Sequence, residues 1–270
     1  MPTLTPLEAS VVDSVFGRKD FSDTTTLREI AEGAGVSESM VVKIAKKLGF
    51  SGYRDLRQNV ASYSRLQIAE MHEDLSPEDT GREIVNKVFR ASIQALEETL
   101  AIADVEAFER AAKFIHGAQQ RDLYGVGGSA QIARDVSHKF LRIGVRTSVF
   151  DDAHMMAMSA SLLGTEDLAI GFSHTGATSV VIETLQLARK NGARTIAVTN
   201  YINSPIAESA DVVLCSTARG SPLLGENAAA RVAQLNILDA IFVMVAQRDY
   251  QAAERNLSRT KAAVQRKRRG

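Results

Sequence analysis

From residue 122 onward, the sequence alternates short apolar runs with longer segments whose apolar residues recur at helical spacing. Alternation of this kind is typical of a parallel β-sheet covered by helices on both faces, which gives this part of the chain an α/β fold. The pattern predicts five parallel strands, near residues 122–126, 145–150, 168–172, 194–199 and 211–215. It predicts intervening helices at 130–142, 153–162, 178–191 and 204–208.

Two of these predicted strands run into turns that are rich in glycine, serine and threonine. The run Leu168–Phe172 leads into the sequence Ser-His-Thr-Gly-Ala-Thr of residues 173–178, and residues 122–130 read Asp-Leu-Tyr-Gly-Val-Gly-Gly-Ser-Ala. A helix follows each turn, and unpaired backbone N–H groups at a helix start favour an anion such as phosphate. One such turn is explained equally well as a helix cap, but the second copy favours a ligand. The residues predicted to bind it are Gly128, Ser129, Ser173, Thr175, Gly176 and Thr178.

The first turn does not carry the spacing of a dinucleotide site. Gly125 and Gly127 are followed by Ala130 where G-x-G-x-x-G requires a third glycine, and Asp151 and Asp152 lie in a predicted turn. The phosphate-binding pattern G-x-x-x-x-G-K-[ST] is absent from the sequence. The sequence therefore predicts no nicotinamide, flavin or other cofactor, and no metal site.

Composition limits the remaining possibilities. The 270 residues carry a net charge of zero, so nucleic-acid binding requires a local basic patch rather than a global field. The single cysteine, Cys215, lies in an apolar run and is predicted to be a buried strand residue. Because no apolar run was found to approach the ~20 residues of a membrane span, we expect a cytoplasmic protein without membrane association.

The first 65 residues have the pattern of a helix-turn-helix domain. Capping boxes at Thr5–Glu8 and Thr26–Glu29 open two short amphipathic helices. A glycine-containing turn at 33–36 ends the second, and Ser37 is positioned to cap a third. Two short amphipathic helices around such a turn are typical of helix-turn-helix proteins, so we assign residues 1–65 to an all-α DNA-binding domain.

The exposed face of the third helix is basic. From Ser37 to Arg65, six basic residues stand against two acidic ones. Ser39 and Lys43 lie near the helix start, where a recognition helix contacts base edges, and the later cations suit phosphates. A small helical bundle with a solvated lysine face is the alternative. The predicted DNA-binding residues are Ser37, Glu38, Ser39, Val42, Lys43, Lys46, Lys47, Tyr53 and Arg54.

The remaining segments complete the predicted organisation. Residues 66–79 are polar and are assigned to a linker, and residues 80–250 form the ligand-binding domain. Within it, residues 232–245 are apolar all round, which predicts a subunit interface or burial in the monomer core. Residues 251–270 form a basic tail. Because its last stretch has seven basic residues and no acidic one, we expect it to be frayed and solvated.

Together, the two halves resemble the RpiR-type transcriptional regulators, which join an N-terminal helix-turn-helix to a C-terminal sugar isomerase (SIS) domain. The resemblance covers nearly the whole chain. It rests on Ala34–Tyr53, which is similar to the family's recognition-helix block, and on the two hydroxyl-rich turns, which are similar to its ligand loops. The first loop and residues 152–154 are most similar to the family's N-acetylmuramic acid regulators. The second loop is closer to its hexose-catabolism regulators.

The resemblance implies a phosphorylated sugar or amino sugar whose binding alters affinity for double-stranded operator DNA. It implies self-association, as a dimer or tetramer. By position, Ser129, Ser173, Thr175 and Thr178 would hold the phosphate. Weaker candidates for the sugar hydroxyls are His174, Asp152, His154 and Glu226.

A phosphosugar isomerase is the competing interpretation. Aldose–ketose isomerisation needs a base beside a carbonyl and an acid for ring opening. The candidates are Glu183, Glu226, His138, His154 and His174. Glu183 and His138 fall inside predicted helices well past the loops, and an isomerase has no use for a basic helix-turn-helix. The sequence therefore favours a regulator, and no catalytic residue is assigned.

Overall fold

The computed structural model describes residues 5–16, 21–65, 75–218 and 228–267. The chain divides into two compact units, residues 1–73 and 74–270. The first unit is helical, with α1 (Pro6–Phe16), α2 (Leu27–Ala34), α3 (Glu38–Lys47) and α4 (Tyr53–Arg65). The second unit combines a five-stranded sheet with helices on both faces. The predicted fold class, a helical domain followed by an α/β domain, is confirmed.

Local capping fixes the helix-turn-helix. The Thr26 hydroxyl accepts a hydrogen bond from the Glu29 N–H, and the Glu29 carboxylate accepts one from the Thr26 N–H, so the predicted capping box is present. Gly35 ends α2 in the left-handed conformation at φ 66°. The apolar faces of the helices meet in one core that includes Val11, Val15, Ile30, Val41, Ile44, Leu56 and Val60.

The second unit begins with two helices, α5 (Gly81–Ala101) and α6 (Val105–Gly117). The predicted capping box at Thr80 and Glu83 opens α5. Strands and helices then alternate as β1 (Arg121–Gly125), α7 (Gly128–Arg142), β2 (Ser148–Phe150), α8 (Ala153–Leu162), β3 (Leu168–Phe172), α9 (Ser179–Lys190), β4 (Arg194–Thr199), α10 (Pro205–Glu208) and β5 (Val212–Cys215). Two long helices, α11 (Ala228–Arg248) and α12 (Tyr250–Lys267), follow.

The sheet has the strand order β2-β1-β3-β4-β5, and all of its pairs are parallel. The order reverses at β1, because the chain moves from β1 to β2 on one side and then crosses back to β3 on the other. Open α/β sheets bind ligands at the carboxyl ends of strands beside such a reversal. β1 and β3 are directly paired, with Gly125 opposite Phe172, so the turns that follow them leave the same edge side by side.

Side chains alternate across the sheet and form a core on each face. On one face, Leu123, Ile170 and Ile196 pack with apolar residues of α6, α7 and α11. On the other face, Tyr124 and Ala169 pack with α8 and α9. Every residue of β3 is buried, as expected for a central parallel strand covered on both sides.

Helix α11 belongs to the core of the second unit. Ile237, Leu238, Ile241 and Val245 are buried in it, whereas Val243 is 51% exposed. Contrary to the sequence-based expectation, α11 is long and apolar enough, by length and composition, to cross a membrane, and 44% of its most apolar window is buried. A core helix of a globular protein meets the same criteria of length and composition.

The prediction of a frayed tail is wrong for the described residues up to Lys267, which form α12. Ala253 is buried in the core, and Leu257, one turn later, packs against it. The Asn256 side-chain amide donates a hydrogen bond to the Ile143 carbonyl at the end of α7, at 3.0 Å. These contacts stabilise the helix, while Arg255, Arg259 and Lys261 are exposed.

Candidate ligand and DNA sites

The first hydroxyl-rich turn, loop 1, links β1 to α7. A side chain at Gly125 would place its Cβ 3.0 Å from the backbone of Ser129, so the turn needs glycine there. Gly127 occupies the N-cap position with φ 57° and ψ −123°, and it brings no side chain to cap the helix. The first turn of α7 is therefore accessible to an anion rather than covered by a capping hydroxyl or carboxylate.

The second turn, loop 2, links β3 to α9. Ser173 is buried, and its hydroxyl lies 2.8 Å from the hydroxyl of Thr178. Thr178 is the N-cap residue of α9, but its side chain makes no capping hydrogen bond. The Thr175 hydroxyl is exposed and accepts a hydrogen bond from the Ala177 N–H at 3.2 Å. Three hydroxyls therefore surround the start of α9 without a conventional cap.

The end of β4 holds loop 2 in place. The N–H of Asn200 and the hydroxyl of Thr199 donate to the His174 carbonyl, at 3.0 and 3.4 Å. Gly176 has φ 67°, and a Cβ there would lie 2.2 Å from the Ser204 hydroxyl oxygen. Loop 2 is thus fixed by glycine geometry and by neighbouring backbone, as a preorganised binding loop requires.

The two loops meet in one small cleft. Loop 1 and the start of α7 contribute one wall, His174 of loop 2 contributes the second, and α11 contributes the third. The lining residues are Gly128, Ser129, Ile132, His174, Arg231 and Gln234. Gln234 is 3% exposed, and its Nε2 has no hydrogen-bond partner among the described residues.

Sequence reasoning missed Arg231 and Gln234. The sequence analysis interpreted residues 232–245, which contain Gln234, only by their apolar character, and it did not consider Arg231. A signal was present, however. The two polar residues stand three positions apart, which places them on one face of a helix that is otherwise apolar around them.

Other predicted ligand residues lie elsewhere. Asp152 is the N-cap of α8, and its carboxylate accepts hydrogen bonds from the backbone N–H groups of His154 and Met155, each at 3.0 Å. Asp152 and His154 are exposed and do not line the cleft. Glu226 lies outside the described residues. Ser173, Thr175 and Thr178 belong to loop 2 but are not among the residues that line the cleft.

The groups considered for catalysis are dispersed. Glu183 is exposed on α9, and His138 lines a different groove, between α7 and α12, together with Arg142 and Lys261. No aspartate or glutamate from the described part of the chain lines the cleft.

Cys215 ends β5, and burial raises the pKa of its thiol to about 11, so it stays a neutral thiol at physiological pH.

Most of the predicted DNA-binding face is exposed. Glu38, Ser39, Lys43 and Lys46 are exposed on α3, whereas Val42 is half-buried and packs against the core. Ser37 occupies the predicted N-cap position, but it makes no capping hydrogen bond, and its hydroxyl lies 3.0 Å from that of Ser39. The start of α3 therefore presents two hydroxyls and no side-chain cap. Arg54 is exposed at the start of α4.

Two residues of this set have structural roles. Tyr53 is 7% exposed, and its hydroxyl lies 3.0 Å from the Thr25 carbonyl, to which it donates. Because a phenol has a single donor hydrogen, this hydrogen bond competes with the predicted contact between Tyr53 and DNA phosphate. The Lys47 ammonium lies 2.7 and 2.9 Å from the two carboxylate oxygens of Glu8. That contact lowers the pKa of Glu8 to about 2.

Comparisons with known families agree with this division. The helix-turn-helix domain of the rpiR family matches residues 2–66, and the SIS domain matches residues 114–244. The HTH-type transcriptional regulator RpiR of Escherichia coli K12 is 43% identical over 261 residues, which are 97% of this chain and 88% of the relative.

Solved structures show the same architecture. The Vibrio vulnificus NanR protein, complexed with ManNAc-6P, matches with a TM-score of 0.64 at 24% identity, over 98% of this chain and 94% of that one. The sugar isomerase domain of an RpiR transcription factor from Sphaerobacter thermophilus matches with a TM-score of 0.58 at 27% identity. That match covers 65% of this chain and 97% of the other.

Proposed function

This chain belongs to the rpiR family of helix-turn-helix transcriptional regulators with a SIS domain, and on that premise we propose that a sugar phosphate bound between its two loops controls its affinity for operator DNA. One observation carries the proposal. Ser129 of loop 1 and His174 of loop 2, which are far apart in sequence, line the same cleft at the carboxyl edge of the sheet.

The phosphate is assigned to the helix starts. Loop 2 supplies the hydroxyls of Ser173, Thr175 and Thr178 beside the start of α9, and Ser129 lies at the start of α7. Arg231 adds a guanidinium at the same cleft, which suits bidentate binding of phosphate oxygens. The effector class is a phosphorylated sugar or amino sugar, the latter being the class bound by the Vibrio relative.

The sugar hydroxyls are assigned to His174 and, more weakly, to residues near the edge of the cleft. Asp152 and His154 follow β2, which pairs with β1, so they leave the same edge of the sheet as loop 1. Glu226 precedes α11 by two residues in the sequence, and Arg231 and Gln234 of α11 line the cleft. Asp152 and His154 reach a ligand only if it extends beyond the cleft walls.

Binding without turnover fits the cleft better than isomerisation. Moving a proton next to a carbonyl needs a positioned base, usually a carboxylate. Among the described residues, the cleft offers His174 but no carboxylate. The enzymatic alternative is tested by incubating the pure protein with a panel of aldose phosphates. Ketose formed at an enzymatic rate, and lost in Glu226→Gln or Glu183→Gln, supports an isomerase instead.

Docking on DNA is assigned to α3. Its exposed start, with Ser39 and Lys43, enters the major groove and contacts base edges, while Lys46 and Arg54 contact phosphates. The basic patch supplies the local positive charge that the neutral chain lacks overall. A cytoplasmic location follows from this role.

Self-association is proposed through α5. Val85, Phe89 and Ile93 are spaced four residues apart along the helix, and they are 56%, 67% and 45% exposed. An apolar stripe of this kind is typical of an interface. A pair of chains would present two helix-turn-helix units to half-sites a helical turn or a multiple apart, and the effector would act by changing their spacing.

The experiment that tests the proposal is a thermal-shift screen of the whole protein. The probes are ribose 5-phosphate, glucose 6-phosphate, N-acetylmannosamine 6-phosphate and the corresponding unphosphorylated sugars. At least one phosphorylated probe should raise the melting temperature, because a ligand that binds only the folded state stabilises it. Equal shifts with phosphorylated and unphosphorylated sugars would contradict a phosphate-binding site.

A further inference from the structure

We infer that Gln234 of α11 determines which sugar the cleft accepts, by donating a hydrogen bond from its side-chain amide to an oxygen of the sugar rather than to the phosphate. The inference rests on the proposed function and deepens it. It concerns a residue that lies outside both loops and that no motif of the sequence points to.

The first argument is the state of the amide itself. Gln234 is 3% exposed and lines the cleft, yet its Nε2 has no hydrogen-bond partner among the described residues. Buried polar groups are nearly always paired, because an unpaired donor gives up its bonds to water without replacement. Such a cost is typical of functional sites, where a ligand supplies the missing partner.

The second argument is the surroundings of Gln234. Its neighbours along α11, Ala230 and Ala233, are buried in a cluster of alanines with Ala95 of α5. Alanine side chains offer no acceptor for the amide. Gln234 lines the cleft, and Ser129 and His174 line the same cleft.

The third argument is that α11 brings a charged, exposed residue and a neutral, buried residue to the same cleft. Arg231 is exposed, whereas Gln234, almost one helical turn further on, is buried. A phosphate gains most from a guanidinium and from helix starts. A neutral amide donor, placed deeper, suits a hydroxyl or carbonyl oxygen of the sugar. A site built to pair such an oxygen rejects analogues that lack it, because its buried donor is then left unpaired.

The test uses the full chain and two substitutions of Gln234. Gln234→Leu and Gln234→Met both remove the donor, and Met keeps the length of the side chain. Gln247→Leu is the matched control, since Gln247 is exposed near the end of the same helix. Calorimetry measures Kd for the tightest-binding sugar phosphate among ribose 5-phosphate, glucose 6-phosphate and N-acetylmannosamine 6-phosphate, and for inorganic phosphate.

We expect both Gln234 variants to weaken binding of the sugar phosphate on the order of tenfold. Affinity for inorganic phosphate should change less than about threefold, and Gln247→Leu should change neither. We also expect the ligand-free Gln234 variants to melt no lower than the parent, because an unpaired buried donor has been removed.

The other possible results contradict either this inference about Gln234 or the proposed function. If the parent binds a sugar phosphate and both Gln234 variants bind it equally well, this inference fails and the proposed function stands. If the variants lose sugar phosphate and inorganic phosphate alike, the amide binds phosphate and does not select the sugar. If neither variant folds, Gln234 is structural and the inference fails. If the parent binds no sugar phosphate, the proposed function fails first.

Discussion

The hydroxyls of Ser173 and Thr178 lie 2.8 Å apart, across the turn that joins β3 to α9. One of these hydroxyls donates to the other, and the Thr178 side chain makes no capping hydrogen bond. A phosphate at this turn would replace a bond between two neutral hydroxyls with charge-assisted bonds, which are about twice as strong. The Thr199 hydroxyl and the Asn200 N–H hold the backbone of the same loop, which favours a preorganised site.

The first prediction concerns these hydroxyls. The double variant Ser173→Ala with Thr175→Ala should keep operator binding and lose the response to the sugar phosphate. The loop backbone is held by Thr199 and Asn200, so removing two hydroxyls should not unfold it. Fluorescence anisotropy with labelled operator DNA, with and without effector, measures both properties. A normal response by the double variant would mean that loop 2 is not the sensor.

The second prediction separates two lysines of α3. Lys46→Ala should weaken binding to all DNA sequences alike and reduce the slope of log Kd against log salt by about one. Lys43→Ala should relax the base preference at one position of a randomised-site selection, because this residue lies near the helix start. Identical effects of the two substitutions on selection and on salt dependence would show that the assigned roles are wrong.

The third prediction follows from the Lys47–Glu8 ion pair. Hydrogen bonding from the Lys47 side chain is the largest cause that lowers the pKa of Glu8 from 4.5 to about 2. Because the folded-state pKa is the lower one, the pair stabilises the fold fully above about pH 4.5 and loses this contribution as pH falls toward 2. The difference in melting temperature between the parent and Lys47→Met should therefore be full at pH 6, smaller at pH 3, and lost as the pH approaches 2.

Lys46→Met is the control for this comparison, since Lys46 is exposed on the same helix and its neighbour Lys47 keeps the pair. Its difference from the parent should not follow the titration of Glu8. A gap between the parent and Lys47→Met that stays constant from pH 6 to 3 would show that the ion pair does not contribute to stability.

The fourth prediction concerns the backbone of loop 2. Gly176→Ala places a side chain at φ 67°, with its Cβ 2.2 Å from the Ser204 hydroxyl oxygen. The loop must shift, so we expect loss of the effector response and destabilisation of about 1–3 kcal/mol. Gly117→Ala is the control, because a Cβ there meets no atom within 4 Å. Chemical denaturation and a thermal-shift assay with effector measure the two effects. A fully responsive Gly176→Ala would contradict the importance of this geometry.

The fifth prediction tests the revised role of Tyr53. Tyr53→Phe removes the hydrogen bond to the Thr25 carbonyl and should cost about 1 kcal/mol of unfolding free energy. Operator affinity, measured below the melting temperature, should stay within about twofold of the parent, because the tyrosine is buried and its hydroxyl bonds to the Thr25 carbonyl. A large loss of operator affinity without loss of stability would restore Tyr53 to the DNA-binding set.

The sequence predicted the elements whose signals are local. The capping boxes at Thr26 and Thr80 and the strands that feed the two loops depend on neighbouring residues, and all are present. The sequence was less informative about residues whose surroundings depend on tertiary contacts. In the sequence, Tyr53 resembles a surface residue because it stands beside Arg54. In the structure, it is buried, and its hydroxyl donates to the Thr25 carbonyl. The basic composition of α12 indicates a solvated tail, but in the structure Asn256 donates a hydrogen bond to the Ile143 carbonyl at the end of α7.

The candidate site was also only partly predictable. The glycine, serine and threonine residues of the loops identified two walls of the cleft, because a strand–turn–helix pattern can be recognised within a short segment of sequence. The third wall comes from α11, more than fifty residues after loop 2. Its polar residues are hard to recognise in the sequence because apolar residues surround them. Packing, and not local pattern, brings Gln234 to the loops.

The central claim is that a sugar phosphate held by both loops changes operator affinity. It is tested most directly by titrating operator DNA, selected from a randomised pool, with the whole protein in the absence and presence of a sugar phosphate that calorimetry shows to bind. We predict a change in operator Kd of roughly 5- to 150-fold. An unchanged Kd with the effector demonstrably bound would contradict the account.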